Sequence, residues 1–300
     1  MIDFLKKFLS VLWTLSFLSA ATVGLAQQRN ITVKGSDTMV NLATKWAETY
    51  MKAHPGVNIQ VTGGGSGVGL AAIVNGTTDI ANSSRPITNK EKAAVKENGI
   101  MPVEFTVAMD ALSVVVNKDN PVNELTMKQI AAIYVGAINN WKEVGGKDQP
   151  ILRYSRESSS GTYVFFKEHV LENRDYAPDC QTMPGTAAVA EAVEKDKNGI
   201  GFGGVAYFLA RPSCKILKVK KDAQAPAVSP VKADGSGVNF EVVYSGVYPI
   251  ARYLYWYTAG QPKGEIKNYL AWILGPGGQK IVAEEGYIPL QTKSKSGSKK

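Results

Sequence analysis

The sequence predicts an α/β protein of two lobes, each a mostly parallel sheet flanked by helices. Three observations carry this. Segments with strand periodicity alternate with segments of helical periodicity along most of the chain, and such alternation makes parallel sheets covered on both faces. The junctions that follow the strands are rich in Gly, Ser and Thr. A chain of 300 residues is too long for one small core and suits two of ordinary domain size.

The elements follow in order. NITVK at 30–34 is the first strand; GSDT follows, and 41–53 places Leu42, Trp46, Thr49, Tyr50 and Ala53 on one helical face before His54-Pro55-Gly56 ends it. VNIQVT (57–62) runs through GGGSGVG into a short helix at 67–75. TDIAN (78–82) leads through SSRP to a lysine-rich helix at 88–98. VEFTVA (103–108) and LSVVVN (112–117) form two strands with Met109-Asp110-Ala111 between them. A helix at 126–134 precedes INNWKEVGG, and ILRYS (151–155) leads through RESSSGT to a helix at 162–172. A helix at 186–196 precedes the strand IGFGG (200–204). Strands at Cys214–Val219 and Phe240–Tyr244 flank a polar connector, and helices at 264–274 and 277–285 close the fold.

Both ends carry a signature. Lys6 and Lys7 precede an apolar run from Phe8 to Leu18, and the small residues Gly24 and Ala26 stand before Gln27. This is the pattern of a signal peptide over 1–26, cleaved near Ala26. The run is shorter than the roughly 18 apolar residues of a membrane span. No cysteine lies near the cleavage point, so the expected product is a free periplasmic protein and not a lipoprotein. The last residues, KSKSGSKK at 293–300, read as a flexible basic tail.

Composition excludes several classes. The net charge is +8, but the lysines are dispersed, and the aromatic-basic interleaving of a nucleic-acid surface is absent. His54 and His169 have no metal-ligand partner at helical spacing, so no metal or cofactor is expected. GGGSGVG lacks the Gly-Lys-Ser/Thr of a nucleotide loop, and its register misses the nucleophile elbow. Only Cys180 and Cys214 occur, an even count in an exported chain, which favours a disulfide worth about 3–4 kcal/mol.

Four strand-to-helix junctions share one chemistry: Gly35-Ser36-Asp37-Thr38, Gly63-Gly64-Gly65-Ser66-Gly67, Asn82-Ser83-Ser84-Arg85 and Arg156 to Thr162. Ligands of open α/β sheets sit beyond the carboxyl ends of strands. Helix N-termini there expose unpaired N–H groups that favour an anion. Any one such motif is also an ordinary helix cap. Four together, two with an arginine able to grip an oxyanion, point to a shared anion site.

GSDTM, TGGGSGVG, DIANSSRP, AMDALSVVVN, INNWKEVGG and RESSSGT stand in an order that resembles PstS-type phosphate-binding proteins of ABC importers, over about residues 30–290. The resemblance implies a type II periplasmic-binding-protein fold, with lobe 1 built from 29–109 plus 245–292, lobe 2 from 110–244, and hinge strands between them. It implies phosphate held by Ser36, Thr38, the Met39 amide, Ser66, Arg156, Ser160, Gly161 and Thr162. Where the family places an aspartate after the third strand, this chain has Ser84. Asp110, set between apolar strands where an unpaired carboxylate is costly, is the candidate replacement; its other reading is a brace for the hinge. Arg85 is either a second phosphate ligand or an ion pair between the lobes. The expected partners are inorganic phosphate and an inner-membrane ABC permease, with the protein a monomer and not an enzyme. The rivals are a binding protein for sulfate or molybdate and a secreted phosphate-ester hydrolase.

Overall fold

The structure, a computed structural model, describes residues 29–291. The expected signal peptide at 1–26 and the expected tail at 293–300 lie outside the described residues. The first elements are β1 (Arg29–Gly35), a 3-10 turn at Asp37–Met39, α1 (Val40–Ala53), β2 (Val57–Thr62), α2 (Ser66–Val74), β3 (Ile80–Ser83), α3 (Asn89–Glu97) and β4 (Val103–Asn117). Then come β5 (Glu124–Thr126), α4 (Met127–Tyr134), β6 (Leu152–Arg156), α5 (Gly161–His169), β7 (Gln181–Met183), α6 (Thr186–Lys195) and β8 (Gly199–Gly204). The remainder is α7 (Ala206–Leu209), β9 (Cys214–Ile216), β10 (Lys218–Lys220), α8 (Phe240–Tyr244), β11 (Ala251–Thr258), α9 (Gly264–Leu274) and α10 (Pro276–Glu284).

One nine-stranded sheet runs in the order β2-β1-β3-β11-β4-β8-β6-β7, with β9 also paired to β4. The pairs among β1, β2 and β3, and among β6, β7 and β8, are parallel. The two strands at the middle are not: β11 is antiparallel to both β3 and β4, and β4 is antiparallel to β8. Helix crossovers supply the parallel pairs, as the alternation predicts.

The sheet is continuous, but the core is divided. The larger apolar cluster draws on residues between Ala111 and Ile250, with Ile288 added. A second draws on Ile31–Ala108 and Leu254–Tyr287. Within the second, α1 buries Leu42, Trp46 and Tyr50 at helical spacing, and the Trp46 indole donates to the Gly278 carbonyl at 2.9 Å. Ala53, placed on the same face by periodicity, is exposed at the end of the helix.

β4 joins the two cores. Its first part pairs with β11 as far as Ala111, and Leu112–Val116 pair with β8. The expected break at Met109-Asp110-Ala111 does not occur. The Met109 amide and carbonyl bond to Ile288, and Asp110 stands directly across from Arg252 in the β11 register. An arginine opposite a buried carboxylate removes the reason for the strand to stop there.

Three further expectations are corrected. Phe240–Tyr244 is helix and not strand: the Phe240 and Tyr244 rings lie one turn apart, 6.4 Å between centres, while Val243 is buried. Cys214–Val219 is two short strands, interrupted at Leu217. The disulfide is not formed. Cys180 and Cys214 are free thiols, the first beside the larger apolar cluster and the second in a separate cluster with Val189 and Val193. Burial pushes their pKa values up to about 12 and about 11, so both stay protonated. An even cysteine count did not imply proximity.

Candidate anion-binding site

β1, β3 and β6 end at the seam between the two cores, and each hands the chain to a Ser- or Thr-bearing turn. From the first lobe, Ser36 follows β1, Ser66 opens α2 and Ser84 follows β3; all three are buried. Ser36 Oγ donates to Ser84 Oγ at 2.9 Å, Ser84 N donates to Ser66 Oγ at 3.0 Å, and the Ser66 and Ser84 hydroxyls lie 3.4 Å apart. From the second lobe comes Gly161, at the start of α5. A Cβ there would lie 2.3 Å from Ser66 Oγ and 2.6 Å from Ser84 Oγ, so the contact requires glycine.

The lobes also meet through other residues. Thr38 and Thr162, both buried, share a hydrogen bond of 2.8 Å between their hydroxyls. The Gly67 amide donates to the Ser159 carbonyl at 3.0 Å. Arg156 donates to Asp37 at 2.8 Å; in its own lobe it bonds Thr186 at 2.8 Å and Glu157 at 3.1 and 3.2 Å. Burial alone would raise the Glu157 pKa, but the Arg156 hydrogen bond and charge outweigh it and hold the carboxyl below its ordinary value.

Beneath the threonines lies a buried ion pair. Arg252 on β11 donates to Asp110 Oδ2 from Nε at 3.1 Å and from Nη2 at 2.9 Å. The same Nη2 reaches Thr162 Oγ1 at 3.0 Å and Thr38 Oγ1 at 3.4 Å. The guanidinium also stands 5.3 Å from the Phe165 ring centre. Burial lowers the Arg252 pKa, and the Asp110 charge opposes that shift. Asp110 Oδ1 and Arg252 Nη1 are both buried with no hydrogen-bond partner, so the pair keeps one acceptor and one donor open.

Ser36, Thr38, Ser66, Ser84, Asp110, Gly161 and Thr162 are thus drawn together, with Arg156 joined to them through Asp37. Two other expected residues have their groups engaged locally. The Ser160 hydroxyl caps α5, accepting from the amides of Thr162 and Tyr163, and the Met39 amide donates to the Ser36 carbonyl at 3.0 Å. Arg85 does not make the expected ion pair between the lobes, and its buried Nε has no hydrogen-bond partner. Its guanidinium makes a two-point bond to Glu91, at 2.8 and 2.7 Å, within the first lobe. Glu91 is well placed for this because the Thr88 capping box fixes it in the first turn of α3. His54 and His169 each stack on an aromatic ring one turn earlier and bond a backbone carbonyl.

Sequence reasoning missed Asp37 and Arg252. Asp37 lies in the Gly35–Thr38 junction, where the hydroxyl residues on either side carry the anion-site pattern and a carboxylate does not. Arg252 had a usable signal, a single charge inside the run from Tyr248 to Tyr257, where burial without a partner is costly.

Two α/β cores threaded on shared middle strands, with hydroxyl-bearing turns facing each other across the seam, define a solute-binding protein of the two-lobed kind. A family model for the PBP superfamily domain matches residues 20–276. The phosphate-binding protein PstS of Pseudomonas aeruginosa is 34% identical over 88% of this chain and 84% of its own length, and that of Bacillus subtilis is 31% identical over 87% and 81%. Among solved structures, a substrate-binding protein of Clostridium perfringens with bound phosphate superposes at a TM-score of 0.75, with 29% identity over 88% of this chain and all of that one. An ABC-type phosphate transport receptor of Vibrio cholerae does so at 0.66, with 28% identity over 87% of this chain and all of that one. The chain belongs to the PstS family of phosphate-binding proteins.

Proposed function

We propose that this chain is an exported periplasmic protein that captures inorganic phosphate between its lobes and delivers it to an ABC importer of the inner membrane. The observation that carries the reading is the meeting of Thr38 and Thr162 over the Asp110–Arg252 pair, with the Ser36, Ser66 and Ser84 cluster and Gly161 beside them. Neutral hydroxyl donors, backbone amides and guanidinium groups suit a small tetrahedral anion.

Asp110 supplies the selectivity. Near neutral pH phosphate keeps a proton and sulfate has none, so the open Oδ1 accepts the phosphate O–H and repels a fully ionised oxyanion. Ser84, where the family has an aspartate, belongs to the hydroxyl cluster. Arg156, its charge matched by Asp37 and Glu157, organises the seam. The protein acts as a monomer and a binder, not as an enzyme; the relatives named above are themselves binding proteins.

The test is direct. Protein purified without added phosphate, then denatured, should release close to one phosphate per chain. Titration calorimetry on stripped protein should give tight phosphate binding and far weaker sulfate binding. Absence of both released phosphate and heat of binding would remove the reading.

A further inference from the structure

We infer that Arg252 contacts the bound phosphate directly and is the residue through which an anion in the cleft engages both lobes and the middle strands together; the inference rests on the phosphate reading above. Four observations converge on it.

The first is its open donor. Arg252 is only 5% exposed, and Nη1 has no partner. A buried cationic N–H left unbonded is costly, so a native site supplies it with an acceptor. The second is direction. The neighbouring Nη2 already faces the Thr38 and Thr162 hydroxyls, one from each lobe, so this edge of the guanidinium lies at the seam.

The third is contrast with the other arginine at the seam. Each nitrogen of Arg156 is bonded to Asp37, Glu157 or Thr186, whereas Arg252 is bonded through Nε and Nη2 only, to Asp110, Thr38 and Thr162, and its Nη1 has no partner. The arginine that resembles the family's ligand thus has a protein partner at every nitrogen, while the one on β11 has a nitrogen with none. The fourth is pairing. Beside that donor stands the open Oδ1 of Asp110. A protonated oxyanion presents both complements, a bare oxygen for Nη1–H and an O–H for Oδ1.

Position then gives Arg252 a second role. It faces Asp110 across the β11–β4 register, beside the point where β4 leaves the pairing with β11 for the pairing with β8. Neither residue belongs to a turn of one lobe alone. An anion bonded to Nη1 is fixed to the middle strands, and Nη2 holds the two threonines above it.

The experiment uses the mature chain and inorganic phosphate, with calorimetric affinities and melting temperatures for wild type, R252Q, R252K, D110N and the double variant R252Q/D110N. R252Q should bind phosphate at least about thirtyfold more weakly, and R252K should fall between it and wild type. Because R252Q leaves a buried carboxylate unpaired, its melting temperature should drop, and the double variant should recover part of that loss. The double variant should still bind about tenfold or more weakly than D110N alone, which isolates the arginine's own bond. Equal affinities for D110N and the double variant would overturn the inference. Wild-type protein without phosphate affinity would instead strike at the functional reading itself, so the two failures are distinguishable.

Discussion

Arg156 reaches from the second lobe to place Nη2 2.8 Å from Asp37 Oδ2 in the first. The same Asp37 accepts the Gly64 amide at 2.9 Å through its other oxygen, so one carboxylate holds the glycine-rich turn and the opposite lobe at once. The guanidinium is buried while Asp37 keeps some contact with solvent, which places this pair at the rim of the seam.

Removing that guanidinium leaves Asp37 and Glu157 facing the cleft without a counter-charge. Arg156→Ala should therefore lose about 2–5 kcal/mol of phosphate binding. Titration calorimetry checks this, and an unchanged affinity would take Arg156 out of the site.

The open oxygen of Asp110 makes a selectivity prediction. Asp110→Asn keeps the volume and removes the charge that a sulfate meets. Phosphate binding should weaken by roughly 1.5–3 kcal/mol, the worth of a hydrogen bond to a charged group, and the gap to sulfate should narrow. Competition between the two anions measures it. If the preference stays as in wild type, the acceptor lies elsewhere.

Gly161 makes a mechanical one. The alanine Cβ would fall well inside contact distance of the Ser66 and Ser84 hydroxyls across the seam. Gly161→Ala should oppose closure by about 1–3 kcal/mol, the usual cost of overpacking, without unfolding either lobe. Small-angle scattering should show wild type contracting on phosphate addition and the variant contracting less. Equal contraction would mean the turn yields freely.

Glu91 links the first lobe to pH. Burial raises its pKa, but the Arg85 hydrogen bond and the Thr88 amide bring it below the ordinary value of 4.5. A carboxyl that holds its proton more weakly when folded stabilises the fold above its unfolded pKa. That contribution is lost as pH falls from about 4.5 through the lower folded value. Melting curves between pH 7 and pH 3 should show a steeper acid loss for wild type than for Glu91→Gln. Parallel curves would assign the acid sensitivity to other carboxylates.

The turns were legible because their chemistry is local. Glycine at a strand end and Ser or Thr at a helix start appear as such in the sequence, and Ser36, Ser66, Ser84 and Thr162 follow from that. What escaped depends on distant partners. Burial alternates along β11 from Ala251 to Trp256, but the less buried positions are filled by Ala251, Tyr253 and Tyr255 in place of polar residues, so neither the strand nor Arg252 stood out. Asp110 drew notice as a charge between apolar strands, but its partner lies across a sheet register that no spacing reveals. Arg85 had the right neighbours at the site and was claimed by Glu91, a helix residue six positions on.

Neither β4 nor β11 contains a glycine or proline, and their backbones hydrogen-bond to each other along most of β11. The two halves are therefore connected by a ribbon and not by a slack tether. Parting them means flexing several peptide units together, as a leaf spring bends. A receptor on the membrane would then meet a small set of defined outlines, in place of a continuum of swivelled ones.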